Sequence, residues 1–215
     1  SPITSAQGQF GYLAGGYGSP GDGSSQVQRT DFSNDSATAM FRASLEQKRE
    51  WMSGVGNLSY GYFAGGYDLS PSRYHSNIYR LDFNNDNIQP LNKGQLGNSL
   101  SRFAGMGTVD YGYFGGGRGP LSTVYRLDYS SDSTQTVAKG PLSQRRTYVT
   151  GIGNQSYGYC AAGQDPSNNY TSTVDRIDYS SDTDTAVAKG PLSGATSRKY
   201  GAGNASYGYW GGGYP

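Results

Sequence analysis

Histidine and cysteine each occur once in 215 residues, at His75 and Cys160, and glutamate occurs twice, at Glu46 and Glu50. Zinc and copper sites draw on clustered His and Cys side chains, so no metal or cofactor is expected. A His-dependent triad would have to use His75, which lies in a polar Ser/Tyr/Asn stretch, so no catalytic residue is assigned. A lone thiol cannot close an intramolecular disulfide, and Cys160 is silent about redox compartment. With 17 basic and 16 acidic side chains the net charge is +1, which leaves no electrostatic footprint for nucleic acid or an anionic membrane. No run approaches the roughly 20 apolar residues of a membrane span. The opening Ser-Pro-Ile-Thr has neither a basic n-region nor an apolar h-region. Neither anchor nor signal is expected, and a start without Met implies a chain processed, trimmed or cut from a longer one.

What is abundant is glycine, 34 residues, and tyrosine, 20 residues. That mixture suits half-buried strands and poorly suits helices. One phrase occurs five times: Phe10-Gly-Tyr-Leu-Ala-Gly-Gly16, Tyr60-Gly-Tyr-Phe-Ala-Gly-Gly66, Tyr111-Gly-Tyr-Phe-Gly-Gly-Gly117, Tyr157-Gly-Tyr-Cys-Ala-Ala-Gly163 and Tyr207-Gly-Tyr-Trp-Gly-Gly-Gly213. Its second tyrosines, Tyr12, Tyr62, Tyr113, Tyr159 and Tyr209, are 50, 51, 46 and 50 residues apart. A period near 50 means one supersecondary unit per repeat. The repeats run approximately 8–57, 58–108, 109–154 and 155–204, with a partial fifth at 205–215, in one repeat domain covering 1–215.

Within each repeat the phrase is followed by an alternating segment, as in Ile78-Tyr-Arg-Leu-Asp-Phe83 and Val124-Tyr-Arg-Leu-Asp-Tyr129, whose period of two belongs to a strand. A polar turn comes next, then a third strand such as Thr136–Leu142, then a fourth such as Arg146–Asn154, closed by a Gly-Asn hairpin turn. Four short antiparallel strands per repeat specify a blade of an all-β propeller, here of about four blades. Phe63, Phe114, Cys160, Leu13 and Trp210 are expected between blades, with the five tyrosines on the opposite strand face.

The arrangement resembles the kelch repeat over nearly the whole chain. The diglycines Gly15-Gly16, Gly65-Gly66, Gly116-Gly117 and Gly212-Gly213 match its second strand, with a departure at Ala162-Gly163. A second departure is the usual Trp of the kelch fourth strand, whose slot holds Met40, Leu91, Val137 and Val187. Phrases such as Lys-Gly-Pro-Leu-Ser are also similar to repeats of aquatic phage virions and microbial surface proteins. That resemblance implies an extracellular or virion-surface location. In kelch order the chain starts on strand two and ends on strands one and two. The second-strand phrase is therefore redundant: either the N-terminal copy at Phe10–Gly16 is expected to leave the ring, or one of the two copies to pair with an adjacent chain or an adjacent section of the same array.

Four turns of the type Asp-x-Ser/Asn-x-Asp, at Asp31–Asp35, Asp82–Asp86, Asp128–Asp132 and Asp178–Asp182, carry oxygen ligands at calcium-loop spacing, but lack the following Gly and Glu. The alternative is that they satisfy local backbone N–H groups. Arg29, Arg80, Arg126 and Arg176 recur once per repeat. They read either as a ring for an anionic ligand or as partners of the neighbouring Asp, beside them or on the next blade. Sequons at Asn34, Asn57, Asn154, Asn169 and Asn204 are possible glycosylation sites if the protein is secreted from a eukaryote, although Asn57, Asn154 and Asn204 also serve as hairpin-turn residues.

Loop length varies at one end only. The second Gly of each diglycine lies 13, 14, 9 and 13 residues before the strand-three Arg. Variable loops on a constant scaffold are where binding resides. Tyr17, Tyr67, Tyr74, Arg118 and Tyr170 on these loops are the expected ligand-binding residues, suited to stacking on a sugar or a peptide. Two functions compete: a non-enzymatic surface or virion propeller binding a glycan or protein through the loop face, and a structural subunit joined to copies of itself by strand addition through the redundant hairpin. An enzyme of the kelch-like mutarotase or copper-oxidase type lacks the ligands and bases it would need.

Overall fold

The computed structural model describes residues 2–4, 9–18 and 22–214. Residues 19–21 of the first variable loop and the extreme ends of the first and fifth repeats lie outside the described residues. The chain folds as two compact units, one of Ser1–Ser101 with Ser130–Gln135, the other of Arg102–Tyr129 with Thr136–Pro215. Both are all-β. Among the described residues there is no α-helix, only three short 3₁₀ turns at Phe83–Asn85, Tyr129–Ser131 and Tyr179–Ser181.

The first unit opens with β1 (Pro2–Thr4), β2 (Phe10–Ala14), β3 (Tyr17–Gly18), β4 (Asp22–Gly23), β5 (Gln26–Asp31) and β6 (Met40–Ser44). It continues with β7 (Ser53–Gly56), β8 (Tyr60–Ala64), β9 (Tyr67–Leu69), β10 (Ser72–Tyr74), β11 (Asn77–Asp82) and β12 (Leu91–Gln95). Strands β1-β2-β5-β6 form one antiparallel sheet and β7-β8-β11-β12 a second, while β3-β4 and β9-β10 are small hairpins in the variable loops. The N-terminal sheet thus has four strands, not three, because β1 pairs along β2. The apolar layer of this unit joins Tyr12, Val27, Leu45 and Met52 to Phe63, Tyr79 and Leu81.

The second unit contains β13 (Ala104–Gly107), β14 (Tyr111–Gly115), β15 (Val124–Asp128), β16 (Val137–Lys139), β17 (Thr150–Gly153), β18 (Tyr157–Ala161), β19 (Val174–Asp178), β20 (Val187–Ala188), β21 (Ser197–Gly203) and β22 (Gly208–Tyr214). Two further sheets, β13-β14-β15-β16 and β17-β18-β19-β20, repeat the same order, and β21-β22 is a separate two-stranded sheet. The redundant phrase is therefore the C-terminal one. Phe10–Ala14 sits inside a complete sheet, and β22 meets no second partner strand among the described residues. Phe63, Phe114 and Cys160 are fully buried as expected, but Leu13 is 45% exposed and Trp210 only half-buried. Met40, Leu91, Val137 and Val187 are all exposed, so the outer-strand slot that holds Trp in kelch repeats does not contribute to the core here.

The tyrosines Tyr12, Tyr62 and Tyr113 are buried too, because each hydroxyl donates to a carboxylate from the next repeat. Cross-strand pairing sets Tyr12 opposite Arg29, Tyr62 opposite Arg80 and Tyr113 opposite Arg126. Asp86 accepts from Tyr12 Oη (2.9 Å), Arg29 Nη1 (2.9 Å) and Arg42 Nε (2.7 Å). Asp132, which folds with the first unit, accepts from Tyr62 Oη (3.0 Å) and Arg80 Nη1 (2.8 Å), with Lys93 Nζ at 3.5 Å. Asp182 accepts from Tyr113 Oη (2.9 Å) and Arg126 Nη1 (2.8 Å), with Lys139 Nζ at 3.1 Å. Arg29, Arg80 and Arg126 thus pair one repeat onward, with the last aspartate of the turn, and Arg176 has no such pair among the described residues. The first aspartate is used locally: Asp31, Asp82 and Asp178 accept from the backbone N–H two residues later. That division accounts for the Asp-x-Ser/Asn-x-Asp spacing without a cation, and among the described residues no three His, Cys, Asp or Glu side chains cluster as metal ligands.

The first tyrosine of the phrase has its own task. Arg80 lies over the Tyr60 ring (4.4 Å), Arg126 over Tyr111 (4.5 Å) and Arg29 over Phe10 (4.2 Å), so an aromatic face holds each guanidinium flat against its strand. The diglycine fixes the following chain reversal. Gly66 has φ +99°, its N–H donates to the Leu100 carbonyl (2.8 Å), and a Cβ there would come within 2.9 Å of the Glu50 carbonyl. The departing residue Ala162 still adopts the left-handed conformation, at φ +61°. A left-handed L-residue costs about 1–2 kcal/mol. Ala162→Gly is expected to stabilise the protein by about 0.5–1 kcal/mol, the relieved strain less the added unfolded-state entropy, as read by denaturant midpoint.

Burial, the largest influence on Asp86 and Asp182, opposes their charge. The hydrogen bonds from Arg42 and Tyr12 on one, and Lys139 and Tyr113 on the other, with the neighbouring cations, outweigh it and hold both carboxyls below the usual range. A carboxylate whose folded pKa is depressed contributes stability that is complete above its unfolded pKa, about 3.9, and is lost as pH falls through the folded value. Asp86→Asn should therefore cost about 1–3 kcal/mol at neutral pH. The gap from wild type should close in thermal melts as pH drops below about 4; a gap that widens on acidification would contradict the assignment.

Candidate functional site

Residues immediately before or within the first strand of successive repeats share an unusual backbone. Trp51, Arg102, Tyr148 and Arg198 have φ of +56°, +61°, +55° and +56°. Bulky side chains avoid this region, and strain of this kind collects at binding and catalytic sites. All four stand eleven residues before the second tyrosine of a phrase. Aligning the repeats would have shown that this one position carries only Trp, Tyr or Arg, but their shared conformation is invisible to composition.

In the first unit Trp51 stacks on Tyr67 (centroids 5.5 Å, 21°), and Tyr67 packs against Tyr74 (4.6 Å). Two of the expected ligand-binding residues, Tyr67 and Tyr74, thus meet in an aromatic platform whose third member is Trp51. The Glu50–Tyr67 backbone bridge holds it, each N–H donating to the other's carbonyl (2.9 and 2.8 Å). Tyr17 is exposed and joins no ring contact among the described residues.

In the second unit Arg102 and Arg198 both lie over the Tyr148 ring, at 4.6 and 4.5 Å, and Arg198 also faces Tyr214 at 5.5 Å. Tyr214 meets Tyr170 edge-on at 6.2 Å. Tyr170 therefore belongs to a row of alternating guanidinium and aromatic groups. Arg118 is exposed on its shorter loop.

Below these surfaces two arginines are completely buried. Arg49 donates to the Gly65 carbonyl (3.0 Å) and Tyr79 Oη (3.0 Å), and burial lowers its affinity for the proton. Arg146 donates to the Ala162 and Thr173 carbonyls (both 2.8 Å) and forms a fully buried ion pair with Asp175 (2.7 Å). Both tie the left-handed turn of one strand pair to the start of the next, which makes them framework residues under the loops.

The residues weighed for chemistry are engaged elsewhere. His75, expected in a polar loop, is buried: its backbone N–H donates to the Gly66 carbonyl (3.1 Å), and burial, then the charges of Arg49 and Arg73, lower its pKa. Asn57, Asn154 and Asn204 accept backbone N–H groups in their hairpin turns. Asn34 accepts from Ser36 Oγ, and Asn169 donates to Asp165. Among the described residues no helix is long and apolar enough to cross a membrane. No protein-family model matches the chain, and no curated protein sequence matches it.

Cys160 packs in the apolar layer with its Sγ 3.6 Å from Met106 Sδ, and burial pushes its thiol up to about 12. A thiol so protonated is inert. Ellman's reagent at pH 8 should label no cysteine in the native protein and one per chain after denaturation; rapid native labelling would contradict this packing.

Proposed function

We propose that the chain is a non-enzymatic, kelch-like propeller of about four blades that binds carbohydrate on a virion or extracellular surface through its variable-loop end. The observation that carries this reading is the Trp51–Tyr67–Tyr74 platform, with Trp51 held in a left-handed backbone that its side chain would not choose unaided. Sugars present flat apolar faces ringed by hydroxyls, and rigid aromatics receive such faces at small entropic cost. The guanidinium and tyrosine row of the second unit, taken by itself, carries donors suited to hydroxyl or carboxylate groups. A constant four-strand scaffold under loops of unequal length fits binding better than chemistry. The near-neutral charge suits a ligand recognised by shape and stacking.

Trp51 makes the test direct, since the only other tryptophan is Trp210. In a Trp210→Phe protein, titration with a panel of neutral and acidic oligosaccharides should quench or shift Trp51 emission saturably. Tyr67→Ala should weaken that binding at least about tenfold, the loss of one stacking partner. No response to any saccharide, together with capture of a protein ligand that Tyr67→Ala abolishes, would replace carbohydrate by a protein partner. No response of either kind would overturn the reading.

A further inference from the structure

The carboxylate anchor described above occurs in four copies, and three are filled. The fourth comprises Tyr159, Arg176 and Lys189. Tyr159 pairs across the sheet with Arg176, as Tyr113 does with Arg126. Arg176 lies over Tyr157 at 4.4 Å. Lys189 is placed by its N–H to the Val174 carbonyl (2.8 Å), beside the strand residue that corresponds to the Val124 partner of Lys139. Among the described residues no carboxylate pairs with this set, and Arg176 Nε is buried without a hydrogen-bond acceptor. In place of an aspartate there is a cleft of about 290 Å³, lined by Tyr159, Val174 and Lys189 on one side and Tyr207, Gly208 and Trp210 on the other.

The complementary half is also present in the sequence. Of the four aspartates that end the polar turns, Asp86, Asp132 and Asp182 are buried, and Asp35 is exposed. The aromatic three residues earlier behaves alike. Phe83 stacks on Tyr12 (4.9 Å) and Tyr179 on Tyr113 (4.6 Å), whereas Phe32 is 49% exposed. The turns around Asp86, Asp132 and Asp182 follow 3₁₀ segments, and the turn at 32–36 contains none.

We propose that the Phe32–Asp35 turn of a second copy of this chain fills the Tyr159/Arg176/Lys189 site. Phe32 of the incoming chain stacks on Tyr159, and Asp35 accepts from the Tyr159 hydroxyl, the Arg176 guanidinium and the Lys189 ammonium, as Asp182 does from Tyr113, Arg126 and Lys139. Strand β22 repeats the phrase of β2, so it can take the place of β2 beside the incoming β5 with an equivalent ladder, Tyr209 then standing opposite Arg29 as Tyr12 does. Such a contact joins different patches on the two molecules. It is heterologous and leads to open fibres, or to closed rings if the rotation permits. The contact brings the first and last sheets of the four-blade array together between chains, in place of closure within one chain, and is independent of carbohydrate binding at the loop end.

Sedimentation velocity and light scattering of the intact chain over a concentration series test it. Wild type should associate with rising concentration. Asp35→Asn and Arg176→Gln should each weaken association at least about tenfold, the effect of losing a charge-assisted contact, and Lys189→Gln, at an exposed position, should do so without perturbing the fold. Mixing Asp35→Asn with Arg176→Gln gives the most specific result: one protein keeps the cation cluster and the other keeps the aspartate, so association should return but stop at pairs. Wild type that stays monomeric at every concentration, or variants that assemble as wild type does, would overturn the proposal. So would a monomer that melts earlier on Asp35→Asn, because the aspartate would then close onto its own chain. Trp51 titration of the same variants should be unchanged, which separates failure here from failure of the carbohydrate reading.

Discussion

A buried aspartate shared between one repeat and the next is the interaction on which the rest of this structure depends. Strand edges within a sheet are satisfied by the ladder, but sheet faces have only side chains with which to select a neighbour. Apolar packing between faces is strong and unspecific, since Leu, Phe or Met would fill the same space at similar gain. The carboxylate supplies what packing does not. Its oxygens are met by a tyrosine hydroxyl and two cations from three different strands, so a sheet displaced by one residue along its neighbour would leave an acid buried against apolar surface. The arginines and lysines remain a fifth exposed, which keeps their desolvation modest and the interaction favourable.

The recurrent Tyr-Gly-Tyr phrase follows from that anchor. Alternation in a strand sends positions one and three to the same face, so both aromatics can serve one guanidinium: the first beneath it, the second beside it with a hydroxyl on the same carboxylate. The intervening glycine faces the other way, where space is shortest. A Cβ on Gly158 would lie 2.6 Å from Tyr179 Oη and 2.7 Å from Met106 Sδ. Position one needs only an aromatic ring, as Phe10 shows, but neither the second tyrosine nor the glycine is free to vary while the anchor persists. The loops beyond the diglycine bear no part of it, and their lengths drift.

Strand order and the turn chemistry were legible in the sequence because they are local: alternation, Gly-Asn turns and Asp side chains capping N–H groups two residues away; the extra N-terminal strand β1 carries no such signal. The tyrosines were read as the face opposite the apolar layer, which is correct for strand geometry and incomplete for burial. Their hydroxyls find partners about 70 residues away, and no spacing within one repeat announces that. Leu13 was expected inside because its equivalents Phe63 and Phe114 are, yet burial at this position is set by a neighbouring sheet and not by the residue. Loop length pointed to Tyr67, Tyr74 and Tyr170, which the structure places in ring contacts. Trp51, Tyr148 and Arg198 escaped because their prominence lies in a backbone angle.

The same argument explains why strain is tolerated at those four positions. A left-handed Trp or Arg costs about 1–2 kcal/mol, and a chain selected for stability alone would place Gly or Asn there. The cost is carried by rigid elements: at all four positions the diglycine reversal, whose N–H donates to the carbonyl two residues before the strained one, and beside Trp51 and Tyr148 also the buried Arg49 or Arg146 that crosslinks two strand pairs. Where the backbone is held in this way, the side chain loses its choice of direction. Aromatic and guanidinium groups presented in this way arrive already ordered, and a ligand need not supply the entropy of ordering them. A repeat scaffold that anchors its faces with carboxylates can therefore tolerate strained aromatic and guanidinium residues ahead of its strands, and under the carbohydrate-binding proposal the gain of that arrangement is realised on binding.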